Sequence, residues 1–167
     1  MQNKPLTIVA ALLAVALAGC TDAQPLADYV ASEQDTPAMF MLASTSDESA
    51  VGFFQQTGME ENPGEMSPEQ FGGNNTGAQD AYGSLLVHEQ NDTRLIFWGA
   101  VRFADASASQ EFTDSISANQ ACFQFAGVLL DQDVVVMVQS SADNETADAA
   151  ASIASDLESS RGMERIC

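Results

Sequence analysis

The chain has a single histidine, His88, and a general base or a metal ligand needs partners at a workable spacing. None stands near it: there is no cysteine or carboxylate at metal-ligand spacing, no G-x-S-x-G elbow and no H-E-x-x-H pair. A glycine-rich phosphate loop is missing as well. His88 therefore reads as a hydrogen-bonded or surface side chain, and the sequence predicts no catalytic residue and no cofactor. Carboxylates are plentiful, with Glu60, Glu61, Glu65 and Glu69 in one stretch and Asp131 and Asp133 in another. Neither set has the alternating ligands, glycine and terminal bidentate glutamate of a calcium hand. In a chain with 24 acids such clusters arise by composition, so they read as solvated surface and no metal site is predicted.

Cysteine offers a different chemistry. Cys122 and Cys167, the last residue, stand apart from a third cysteine, Cys20. In an oxidising compartment a terminal cysteine is more simply a staple than a site, and the expectation is a Cys122–Cys167 disulfide. Free thiols or an intermolecular bond are the alternatives. Closing a loop of that length contributes on the order of 4 kcal/mol in the chain-entropy model. Three N-x-[ST] acceptors, at Asn74, Asn91 and Asn144, are candidate glycosylation sites on an exported chain.

Lys4 opens the chain with a positive charge, Leu6 to Ala16 form an apolar run too short to span a bilayer, and Leu17-Ala18-Gly19-Cys20 closes it with small residues. This segment resembles the lipobox of prokaryotic lipoproteins. The resemblance covers the N-terminus alone and implies lipidation of Cys20, with removal of residues 1–19. An ordinary secretory signal cleaved near Ala18 is the alternative. Lipid on Cys20 would anchor the protein to the outer face of the cell membrane, or to the periplasmic side of an envelope membrane. One chain anchors marginally, so stable attachment implies more than one acyl or isoprenoid chain.

Without residues 1–19 there remain 148 residues, enough for one domain with a real core. They carry 24 acids against four arginines and no lysine, a net charge of −20. That composition resembles proteins of extreme halophiles, in which short carboxylates keep the surface soluble in concentrated salt. Self-repulsion opposes the compact state in dilute buffer and is screened near molar salt, where the Debye length is about 3 Å. Nucleic acids and anionic headgroups both call for basic patches, so neither is an expected partner.

The elements that would position any site follow from periodicity. Residues 20–36 read as the lipidated cysteine and a polar tether of up to roughly 50 Å, although Leu26, Tyr29 and Val30 could make a short docking helix. Residues 37–167 read as one α+β domain. A strand at 39–43 leads to a helix from a Thr45–Glu48 capping box to Gly58. A long glycine- and proline-rich loop is expected over 59–81. Strands 84–89 and 94–103 form a hairpin, followed by a helix over 106–119. A second hairpin, 123–130 with 133–139, leads to a helix over 144–160. The order βα-ββα-ββα suits an antiparallel sheet with helices packed on one face, and its first six elements match a ferredoxin-like unit.

On that architecture the strand 94–103 turns Leu95, Phe97, Val101 and Phe103 one way and Ile96, Trp98, Ala100 and Arg102 the other. With helices on one side only, the face carrying Ile96, Trp98, Ala100 and Arg102 would be an open apolar surface and a partner site. The expected function is that of a lipid-anchored, extracytoplasmic, non-enzymatic binding module whose partner is another envelope protein, reached through this face and the 59–81 loop. A small-ligand or solute-binding lipoprotein, with its pocket between sheet and helices, is the alternative.

Overall fold

A computed structural model of the chain describes residues 23–32, 35–57, 59, 64–141 and 143–167. Seven strands form one antiparallel sheet: β1 (Phe40–Leu42), β2 (Glu65–Met66), β3 (Ala78–His88), β4 (Asn91–Phe103), β5 (Gly127–Asp131), β6 (Val134–Ser140) and β7 (Glu164–Arg165). The spatial order is β1-β3-β4-β6-β5-β7, with β2 paired along the same outer side of β3 as β1. Three helices complete the fold: α1 (Glu48–Thr57), α2 (Ala106–Ala118) and α3 (Asn144–Arg161).

The central strands alternate as the sequence predicts, but both of their faces are buried. Ile96, Trp98 and Ala100 of β4 join Leu129, Val134, Val136 and Val138 beneath α3, which contributes Ala150, Ile153, Ala154 and Leu157. On the other face, Val101, Phe103, Val128, Val135 and Met137 pack with Ala50 and Phe54 of α1 and Ile116 of α2. Helices therefore cover both faces, which corrects the expectation of a single helical layer. A valine-rich strand such as Val134-Val135-Val136 is apolar on both sides because it has a layer on each side. Gly127 permits the closest approach, since a Cβ there would lie 2.5 Å from the Cβ of Ala154 on α3.

The ferredoxin-like expectation is also corrected. In such a unit the two strands joined through a helix are separated by one intervening strand. β1 and β3, joined through α1, are instead direct antiparallel neighbours, with Phe40 opposite His88 and Leu42 opposite Leu86. Only β4 and β5, joined through α2, leave room for a strand between them, and β6 fills it.

Local chemistry sets the helix ends. Asp105 caps α2 by accepting the Ser107 and Ala108 N–H groups, and Asp143 caps α3 by accepting the Thr146 N–H. Gly162 ends α3 in the left-handed region at φ 66°. α1 starts at Glu48, after Asp47, whose carboxylate accepts the Ser44 N–H at 2.6 Å. Thr45 thus lies before the helix and is not its cap, and Gly58, the expected stop, lies outside the described residues. The stretch expected as a loop over 59–81 is largely built: β2, two 3-10 turns (Pro68–Phe71 and Gly73–Asn75) and the first four residues of β3 occupy it. Residues 60–63 lie outside the description. Strand β5 starts at Gly127, because residues 121–124 form a 3-10 turn instead of a strand.

Candidate interaction site

The face expected to be open is closed by the chain's own N-terminal segment. Leu26–Tyr29 form a 3-10 turn, and Leu26, Tyr29, Val30 and Ala31 are buried against the sheet. The Trp98 indole N–H donates to the Tyr29 carbonyl at 2.8 Å. The Ser84 hydroxyl donates to the Ala31 carbonyl at 3.2 Å, and the Arg102 guanidinium donates to the Gln24 carbonyl. Ile96 and Ala100 are fully buried and Trp98 is 5% exposed. The set Ile96, Trp98, Ala100 and Arg102 is therefore a packing seam and not a docking surface. The reading of residues 20–36 as a free tether is revised with it, since residues 24–31 belong to the domain.

Tyr29 is the key of this strap. Its hydroxyl donates to Asp131 Oδ2 at 2.9 Å, and the Arg161 guanidinium stands 5.4 Å from its ring centroid. Burial, and then the Asp131 carboxylate, push the phenol up to about 12. Asp133 Oδ2 lies 3.6 Å from Arg102 Nε. The Asp131 and Asp133 pair is thus engaged with a tyrosine and an arginine. Glu65 and Glu69 are exposed, whereas Glu60 and Glu61 lie outside the description. Among the described residues no three histidine, cysteine or acidic side chains come together in a way that could hold a metal ion.

His88 is buried at the β3–β4 hairpin. Its Nδ1 accepts the Gln90 N–H at 3.1 Å, Phe40 meets it edge-on at 5.2 Å, and Nε2 faces Glu145 Oε1 at 3.6 Å. Arg94 pairs with Glu145 and lies 3.5 Å from Asp143. Asp143 accepts from the Thr146 hydroxyl and N–H, and these bonds hold its carboxyl well below the usual range, at about 2, with Ser141 and Arg94 adding to the effect. This cluster ties the hairpin to the start of α3, and the backbone already uses one of the two imidazole nitrogens.

Cys122 and Cys167 form a disulfide with a Cα separation of 5.6 Å. It secures a turn entered through Gln120 at φ 54°, and Phe123, the residue after Cys122, is 83% exposed. The alternating pattern of residues 123–130 hid this aromatic in an expected strand; the usable signal was its position next to a cysteine. The acceptors Asn74, Asn91 and Asn144 are all exposed. Thr146, of the Asn144 acceptor, is buried, whereas the Thr93 hydroxyl and N–H both donate to Asn91 Oδ1. Cys20 lies outside the described residues.

A groove of about 410 Å³ runs between α3 and Val30, Asp35 and Pro37, and Trp98, Asp156, Ser160 and Arg161 also line it. No helix among the described residues is long and apolar enough to cross a membrane.

No protein-family model matches the chain, and no curated protein matches it. Among solved structures it is similar to the extracellular domain of PknH from Mycobacterium tuberculosis. The sequence identity is 14% and the TM-score 0.36, over 51% of this chain and 67% of that one.

Proposed function

We propose that the chain is a lipid-anchored module of the cell envelope that acts by binding another envelope protein. Lipid on Cys20 supplies location, and the disulfide fits an oxidising compartment. The observation that carries the reading is Phe123. A large aromatic held 83% in solvent, on a turn fixed by a covalent bond, is apolar surface presented with little entropy left to lose on contact. The two faces of the central strands β4 and β6 are occupied by the protein itself. Sharing one membrane with the partner raises its effective concentration, so a small interface suffices. The acid-rich, lysine-free surface belongs to a salt-adapted cell.

The test is crosslinking in native membranes with a carboxylate-reactive reagent, since the mature chain has no lysine. A partner adduct found with the wild type and lost with Phe123→Ala supports the reading. The same adducts at the same yield in both proteins defeat it. The groove beside Trp98 favours a second reading, a small-ligand receptor, because its volume lies within the range of ligand pockets. Ligand-dependent protection of Trp98 fluorescence would favour that reading.

A further inference from the structure

We infer that the protein sits directly on the bilayer with a fixed orientation: the end that carries Arg102, Asp105 and Asp131–Asp133 faces the lipid, and the end that carries the β3–β4 hairpin faces away. The inference rests on the proposed lipidation of Cys20 and deepens it.

Two observations carry it. The first is where the strap begins. Gln24 is tied by its carbonyl to Arg102, and Ala23 and Gln24 line a depression with Tyr29, Arg102, Asp105, Asp131 and Asp133. Only three residues, 21–23, separate Cys20 from Gln24. A fully extended chain advances at most ~3.6 Å per residue, so the lipidated cysteine stays within about 14 Å of the Gln24 Cα. A polar tether of 17 residues would have allowed free tumbling; a leash of this length does not.

The second observation is the direction of the strands. Arg102 stands at the far end of β4 from the hairpin, and the seven residues of strand back to Leu95 span about 23 Å. β5 runs parallel to β4, since each is antiparallel to the β6 that lies between them. Asp131, the last residue of β5, is therefore at the Arg102 end, whereas Gly127 lies level with Val138 and Trp98, part-way along β4. Asp92, in the irregular stretch of β4 between the pairs His88–Asn91 and Val87–Leu95, lies at the hairpin end. The lipid-facing end carries mainly carboxylates, so the leash and not charge attraction holds it there.

The lipidated chain would be reconstituted into phosphatidylcholine vesicles containing a rhodamine-labelled phosphatidylethanolamine. A donor dye would be placed on Ser107→Cys, in the first turn of α2 next to Asp105, or on Asp92→Cys; both positions are exposed. With Cys122 and Cys167 bonded and Cys20 lipidated, the added thiol is the only one free to react. Energy transfer several-fold greater from position 107 than from position 92 is expected. A flexible insert of ~20 residues between Asp22 and Ala23, with a root-mean-square span near 25 Å, should bring the two signals together. Equal transfer without the insert, stronger transfer from position 92, or a contrast that survives the insert would each overturn the orientation. If the chain fails to float with the vesicles, the lipid anchor itself is refuted, which is a separate result from flotation with equal transfer.

Discussion

Replacing both disulfide cysteines, Cys122→Ala with Cys167→Ala, should cost about 4 kcal/mol, because the sequence separation of 45 residues sets the loop-closure entropy restored to the unfolded chain. The closed loop contains β5, β6 and α3, three elements of the core. The structure also says where the loss should be felt first. Beyond α3 the chain is held by a two-residue strand, pairing Leu129 with Arg165 and Leu130 with Glu164. The Ile166 N–H donates to the Val128 carbonyl at 2.8 Å, and the Arg165 guanidinium donates to the Ala126 carbonyl at 2.8 Å. Those contacts are too few to hold a chain end without the covalent bond. Urea unfolding in molar potassium chloride, where charge repulsion is screened, should show the midpoint fall by about 2 M for a slope near 2 kcal/mol/M. Hydrogen exchange at the Ile166 amide should accelerate before that of Val136. A midpoint shift below about 0.5 M with Ile166 still protected would refute the reasoning, because the bond would then tie a segment that is already secure.

Leu26→Ala should destabilise the domain by about 2–4 kcal/mol, and loosening of the strap should shift the emission of Trp98, the single tryptophan, to the red. An unshifted spectrum would mean that the strap is not what keeps water from the indole. Asp143→Asn tests the depressed carboxyl. Its folded value of about 2 lies below the ordinary 3.8, so its contribution is present above about pH 4 and is lost as pH falls toward 2. The stability gap between wild type and variant should therefore close over that window, and a gap independent of pH would argue against the ionised cap. From the charge of −20 on residues 20–167, the domain should lose stability as salt is diluted below molar concentrations, as read by thermal unfolding. An unchanged midpoint in dilute buffer would count against salt adaptation.

Much of the site's neighbourhood was legible in sequence, and the failures share a cause. The faces of β4 were assigned correctly, because side-chain alternation along a strand is a local property. The helices over 106–119 and 144–160 were legible for the same reason: the caps that start them, Asp105 and Asp143, act within four residues. Errors gathered where a segment's partner is distant. Residues 78–83 carry a weak strand signal, with Ala78, Ala81 and Gly83, yet they pair with Gly99 to Phe103 of β4 and so become strand. Phe123 and Phe125 alternate like a strand but fall in a turn that the Cys122 bond fixes to the far C-terminus.

What the sequence determined by itself was composition and local conformation: an acidic chain whose one lysine, Lys4, stands in an export-like start, a cysteine pair, and strands and helices whose apolar faces could be named. Which layers those faces meet was decided only in three dimensions. The segment 24–31 is short and polar enough to pass for a tether. It became part of the core because Leu26, Tyr29, Val30 and Ala31 bury against the sheet, and the Tyr29 carbonyl supplies the acceptor that the buried Trp98 indole needs. A buried donor 69 residues away from its acceptor leaves no trace in local pattern, and that is why a face that reads as open in the sequence is closed in the fold.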